Sequence, residues 1–203
     1  MSYFGLTGGV ATGKSTAARV FHELGAEIID ADRIGHLQLA KSSPAFQEIV
    51  ERFGPVILDG AGEINRHALG SLVFTDPEKL QQLNSIVHPR IIAEVEKRAA
   101  AIAAEDSRRV ILVDAALIFE AGIGGRFEKV IVTWCTPQQQ IERLMHKGLS
   151  REEAEHRIAA QIPVEEKKRR ADFVIDSSGP LENTRGQVER IYATLKKLIS
   201  GKN

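Results

Sequence analysis

Gly8-Gly9-Val10-Ala11-Thr12-Gly13-Lys14-Ser15, followed by Thr16, places three glycines, a lysine and three hydroxyls in one short stretch. Glycine lets successive backbone N–H groups turn inward as a concave, anion-holding nest. A helix opening directly after the nest adds partial positive charge. The stretch fits G-x-x-x-x-G-K-[ST] without a mismatch, and at ordinary glycine usage a chance fit has a probability on the order of 1%. Gly8, Gly9, Val10, Ala11, Thr12, Gly13, Lys14, Ser15 and Thr16 are therefore expected to cradle the phosphates of ATP. Lys14 would reach the β- and γ-phosphates, and the Ser15 hydroxyl would ligate Mg²⁺. A plain glycine turn ahead of a helix accounts for the glycines but not for the Lys-Ser that follows.

A second chemical feature is Asp30-Ala31-Asp32. With one residue between them at a strand end, both carboxylates fall on one side of the chain. Transfer of a phosphoryl group to a hydroxyl benefits from a carboxylate that orients the hydroxyl and accepts its proton. Asp32 as the N-cap of a following helix explains the same residue equally well. Spacing alone leaves the two readings open.

These groups need a scaffold, and the apolar runs outline one. Tyr3 to Thr7 stops at Gly8 and Gly9 and reads as a buried strand; Glu27 to Asp30, Val110 to Val113, Val130 to Trp134 and Phe173 to Ile175 read as four more. Helical patterns separate them: Thr16 to Leu24, a basic excursion from Pro137 to Arg170, and Pro180 to Ile199 with Val188, Ile191, Leu195 and Leu198 on one face. Alternation of this kind predicts an α/β fold, a P-loop NTPase-type three-layer parallel sheet. About eighty residues between the second and third runs carry only helical patterns, at Pro44 to Phe53, Arg66 to Phe74 and Thr75 to Ala104. Thr75 with Glu78, and Ser150 with Glu153, have the spacing of capping boxes. The expected division is a core of residues 1–35, 106–136 and 171–203, a helical insertion over about 36–105 and a helical excursion over about 137–170, which the family resemblance given below makes a substrate insertion and a lid.

Composition sets the outer limits. Lys+Arg and Asp+Glu number 27 each in 203 residues, so no net field favours nucleic acid or an anionic membrane. The basic run Lys167-Lys168-Arg169-Arg170 then reads as a solvated or lid face. The single cysteine, Cys135, excludes an intramolecular disulfide. It ends an apolar run, which favours a small core residue over a nucleophile. The histidines show no tight metal-ligand cluster. No basic segment precedes an apolar one at the N-terminus, and no apolar run approaches the ~20 residues of a membrane span. A cytoplasmic protein is expected, with no membrane association and no obligate protein partner.

The motifs together resemble those of dephospho-coenzyme A kinases. The resemblance runs from Leu6-Thr7-Gly8-Gly9 and Gly13-Lys14-Ser15-Thr16 through Ile29-Asp30-Ala31-Asp32 to Ile64-Asn65-Arg66 with Leu69. It continues in Leu83-Asn84-Ser85-Ile86-Val87-His88-Pro89, Arg157-Ile158-Ala159-Ala160-Gln161 and Ala171-Asp172-Phe173-Val174-Ile175. It implies ATP and dephospho-CoA as substrates, with the ribose 3′-hydroxyl as phosphoryl acceptor. It implies Asp32 as catalytic base, Arg66 and His88 on the substrate side, and a basic lid over the nucleotide. His88 ahead of Pro89 also has a plainer reading, as a helix end, since proline breaks helices. Three positions depart from the family pattern. Ala116 stands where proline is usual, Ser178 where asparagine is common, and Lys147 where the lid usually has arginine, in a segment one residue short. Lid cations considered for the phosphoryl group are Arg143, Lys147, Arg151 and Arg157. Arg157, in the better-matched segment, is expected to outweigh Lys147.

Overall fold

The computed structural model describes residues 2–201, apart from the side chain of Phe74. All five expected strands form, with ends moved by a residue or so: β1 (Phe4–Gly8), β2 (Glu27–Asp30), β3 (Ile111–Asp114), β4 (Val130–Trp134) and β5 (Phe173–Asp176). They make one parallel sheet in the order β2-β3-β1-β4-β5. Strands buried on both faces need no polar alternation, which is why the sequence shows continuous apolar runs. Helices α1 (Lys14–Glu23) and α9 (Leu181–Ser200) cover one face. There Phe4, Leu6, Val20, Phe21, Leu112, Ile131, Ile175, Val188, Ile191, Leu195 and Ile199 form one buried cluster. Full burial of each large apolar side chain stabilises by roughly 1.5–3 kcal/mol. In α9 it is Ile199 that closes the buried stripe, whereas Leu198 is only partly buried.

The chain divides into two compact units, one of them Ala31–Arg98 and the other the remainder. The smaller unit contains α2 (Ala31–Gln38), α3 (Pro44–Phe53), α4 (Arg66–Phe74) and the first part of α5 (Pro77–Glu105). Its own core is Ala45, Ile49, Phe53, Ile57, Ile64, Leu69, Val73, Ile86 and Val87. Three local expectations change here. Helix α2 begins directly after β2, so Asp32 lies inside its first turn rather than at its N-cap. Thr75 is not the cap that starts α5 but the C-cap that closes α4. The cap is Asp76, whose Oδ1 accepts from the N–H groups of Glu78 and Lys79, with Pro77 opening the helix. Pro89 does not end the helix, because α5 runs through it. The Arg90 guanidinium donates to the Ile86 carbonyl beside it and pairs with Glu48.

The basic excursion folds as α6 (Pro137–Met145), α7 (Arg151–Ala159) and α8 (Val164–Arg170). The Ser150–Glu153 capping box starts α7 as expected, and an unanticipated one, Thr136–Gln139, starts α6. The run at the end of α8 is not uniformly solvated. Lys167 is fully buried, and Lys168 lies 3.9 Å above the Trp134 ring. Cys135 is buried and unpaired, and burial pushes its thiol pKa up, which makes it a core residue rather than a nucleophile.

Candidate functional site

Because every strand is parallel, Gly8, Asp30, Asp114, Trp134 and Asp176 all end at one edge of the sheet. Ligands of open α/β sheets bind outside this edge, where the strand order reverses, and here that point is β1. The turn from β1 into α1 is the phosphate cradle. Gly13 is left-handed (φ 87°) and so is Ala11 (φ 60°), a conformation that costs a non-glycine residue but orients neighbouring N–H groups inward. Helix α1 opens on Lys14 with no side-chain cap, leaving its first amides for a ligand. Gly8 has to be glycine: a Cβ there would overlap the hydroxyls of Thr12 and Thr133. Those two hydroxyls hydrogen-bond to each other (2.8 Å), and the Thr12 hydroxyl also lies 2.7 Å from the Gly9 carbonyl.

The cradle is held from outside by side chains whose part in holding it no motif announced. Val10 is gripped at both ends of its peptide: Gln140 Nε2 donates to its carbonyl (2.6 Å) and Gln161 Oε1 accepts from its N–H (2.8 Å). Arg143 donates to the carbonyl of Ala11 (3.1 Å) and to the Ser177 hydroxyl and carbonyl, while the Ser177 hydroxyl donates to the Thr12 carbonyl (2.8 Å). Arg143 is thus committed to the main chain of the cradle. The carbonyl of Ser178 accepts from Gln139 Nε2 (2.8 Å) and its N–H donates to Asp176, so main-chain bonds hold this departure position.

Lys14 is paired with Asp114 at the end of β3. Asp114 was not among the expected site residues, although an apolar run ending in aspartate, Ile111-Leu112-Val113-Asp114, is a legible signal. The hydroxyl of Ser15, next to Lys14 in the chain, and the carboxylate of Asp114, which meets Lys14, are both hard oxygen donors. That chemistry fits Mg²⁺, which takes one or two protein ligands and completes its shell with phosphates and water.

Residues 8–16 line a cavity of about 660 Å³ together with Ala116, Arg143, His146, Lys147, Gln161 and the start of α9. The volume lies in the usual small-molecule range. Lys147 is exposed and lies on the cavity wall, between the end of α6 and the left-handed Gly148. Arg157 lies on an exposed position of α7 and is not part of that wall. Arg151 pairs with Glu155 on the surface of the same helix. In the smaller unit, Asp32 and Arg66 are exposed at the first turns of α2 and α4. His88 is half-buried, and burial pushes its imidazole pKa below the usual range, which favours the neutral form.

A parallel sheet of this order, a glycine cradle opening a helix, and a lysine paired with a strand-end aspartate define a P-loop nucleotide-binding protein. The comparisons with known proteins narrow the class. The family model for dephospho-CoA kinase matches residues 2–183. The dephospho-CoA kinase of Carboxydothermus hydrogenoformans is 44% identical over 193 residues, covering 95% of this chain and 93% of that protein. A crystal structure from Thermus thermophilus superposes with a TM-score of 0.83 at 31% identity, over 96% of this chain and 97% of that one. The dephospho-CoA kinase of Campylobacter jejuni gives a TM-score of 0.69 at 29% identity, over 96% and 97% of the two chains. The chain belongs to the dephospho-CoA kinase family.

Proposed function

We propose that this protein transfers the γ-phosphoryl group of ATP to the ribose 3′-hydroxyl of dephospho-CoA, giving coenzyme A, the last step of its biosynthesis. The observation that carries the reading is the cavity walled by the whole of residues 8–16 and by Lys147, in a chain whose family membership extends over nearly its full length. The cradle's amides and Lys14 bind and neutralise the nucleotide phosphates. Ser15, with Asp114, would hold Mg²⁺, which neutralises charge between the β- and γ-phosphates when bound. Asp32 orients the acceptor hydroxyl and takes its proton, while Arg66 and His88 bind the acceptor. Lys147 and Arg157 are the lid cations proposed for the transferring group, whose charge sits on its equatorial oxygens. The protein would work in the cytoplasm on these two soluble substrates.

A panel of acceptors tests the reading. With ATP and Mg²⁺, dephospho-CoA should be phosphorylated at least about 10²-fold more efficiently than shikimate or a nucleoside monophosphate. A site built to hydrogen-bond one acceptor rejects others by such factors. Preference for any other acceptor in the panel would replace the proposed substrate.

A further inference from the structure

Lys167 is the only fully buried charged side chain among the described residues, and nothing in the transfer chemistry outlined above uses it. Its ammonium has three donors, and three acceptors from two segments, the end of β1 and the turn after β3, meet it. They are the Gly8 carbonyl at 3.3 Å, the Ala116 carbonyl at 3.1 Å and Glu120 Oε1 at 2.7 Å. Gly8 opens the phosphate cradle. Ala116 lies two residues beyond Asp114, the partner of Lys14, and its carbonyl also accepts from the Thr7 hydroxyl (3.1 Å). Glu120 Oε1 accepts in turn from the N–H of Ile162 (3.1 Å). The residue before Ile162 is Gln161, which holds the Val10 N–H. The bonds therefore form a ring that leaves the cradle at Gly8, passes through Lys167, Glu120 and the end of the lid segment, and returns to the cradle at Val10.

Stability alone does not call for such a group. A buried ion pair recovers its desolvation cost only with good geometry, and well-packed apolar replacements are often neutral or better. What a buried, fully engaged ammonium does supply is a fixed distance between main-chain atoms, since two of its three acceptors are carbonyls. Those carbonyls belong to the segments that carry the cradle and the cavity wall. We infer that Lys167 is a positioning residue for phosphoryl transfer, setting the cradle against the turn after β3 and the lid end through the Lys167–Glu120 pair. The inference rests on the proposed kinase activity. It also gives a reason why alanine is tolerated at 116 in place of the usual proline: the turn is pinned through its carbonyl rather than by a ring.

The test uses Lys167→Met, which keeps length and volume and removes the charge. Turnover with ATP and dephospho-CoA, ATP binding by calorimetry and the thermal midpoint are measured on the full chain. The expected result is a fall in kcat of about 10²-fold, the scale of a small misplacement of reacting groups, with ATP affinity within about threefold of wild type. Glu120→Gln keeps the acceptor for Ile162 and for Lys167 but weakens the grip. It should fold as wild type and lower kcat severalfold at unchanged ATP affinity. If Lys167→Met fails to fold, the Glu120→Gln result decides alone. A folded Lys167→Met with wild-type kcat would overturn the inference. So would parallel losses of kcat, ATP affinity and thermal midpoint in Glu120→Gln, which would mark the pair as scaffolding only. Loss of acceptor turnover in the wild type itself would refute the kinase reading instead, so the two failures are told apart.

Discussion

Asp32→Asn keeps the shape of a carboxylate and removes its ability to take a proton, so it separates base catalysis from binding. General-base assistance is typically worth about 10²–10⁴-fold. The proposal predicts that much loss in kcat with ATP affinity nearly intact. Asp30 is the useful control, because it ends β2 in register with Asp114 while Asp32 lies two residues on, in the first turn of α2. Steady-state kinetics on both asparagine variants settle the assignment. If Asp30→Asn is crippled and Asp32→Asn is normal, the roles are reversed. At this scale the sequence revealed what type and spacing reveal: Gly8 to Thr16 and a strand-end carboxylate. It concealed Gln140 and Ser177 and the cradle-holding roles of Arg143 and Gln161, because each reaches the cradle across more than a hundred positions of chain through one side-chain bond. No local periodicity records such a bond.

At the scale of elements, the strands were readable because burial on both faces makes them continuous apolar runs, and the parallel order followed from the helices between them. Helix ends were less readable. Thr75 and Asp76 both cap well, and the pattern Thr-x-x-Glu favoured the former, but Pro77 at the first helical position selects Asp76. The four basic residues of α8 looked alike in sequence, yet only Lys167 shares the buried side of that short helix with Val164. The lid holds the open question of which cation meets the phosphoryl group. Its better-matched segment singles out Arg157, whereas the cavity wall contains Lys147. A cation on an exposed helix face away from the cavity is screened and contributes little, ~0–1 kcal/mol, while Lys147, also exposed, lines the cavity and acts at closer range. The geometry therefore predicts that Lys147→Ala lowers kcat more than Arg157→Ala does, at saturating ATP. The reverse order would show that Arg157 is the cation that meets the phosphates. Less than a threefold effect from both would place the cation elsewhere.

For the molecule as a whole, balanced charge and the lack, among the described residues, of a helix long and apolar enough to cross a membrane leave local charge to do the anion binding. The cradle concentrates that charge at one sheet edge. Family membership and this cradle converge on one reaction, in which one ATP is consumed for each hydroxyl phosphorylated. That stoichiometry and its position are what distinguish a dephospho-CoA kinase from a nucleotide-binding switch or from a kinase of another small alcohol. The direct measurement follows phosphorus by NMR while ATP, Mg²⁺ and dephospho-CoA are incubated with the full chain. The account predicts a new phosphomonoester on the 3′-oxygen of the ribose, growing one-for-one with ADP and absent with Lys14→Ala. ADP without a phosphorylated acceptor, or a phosphate appearing on any other oxygen, would contradict it.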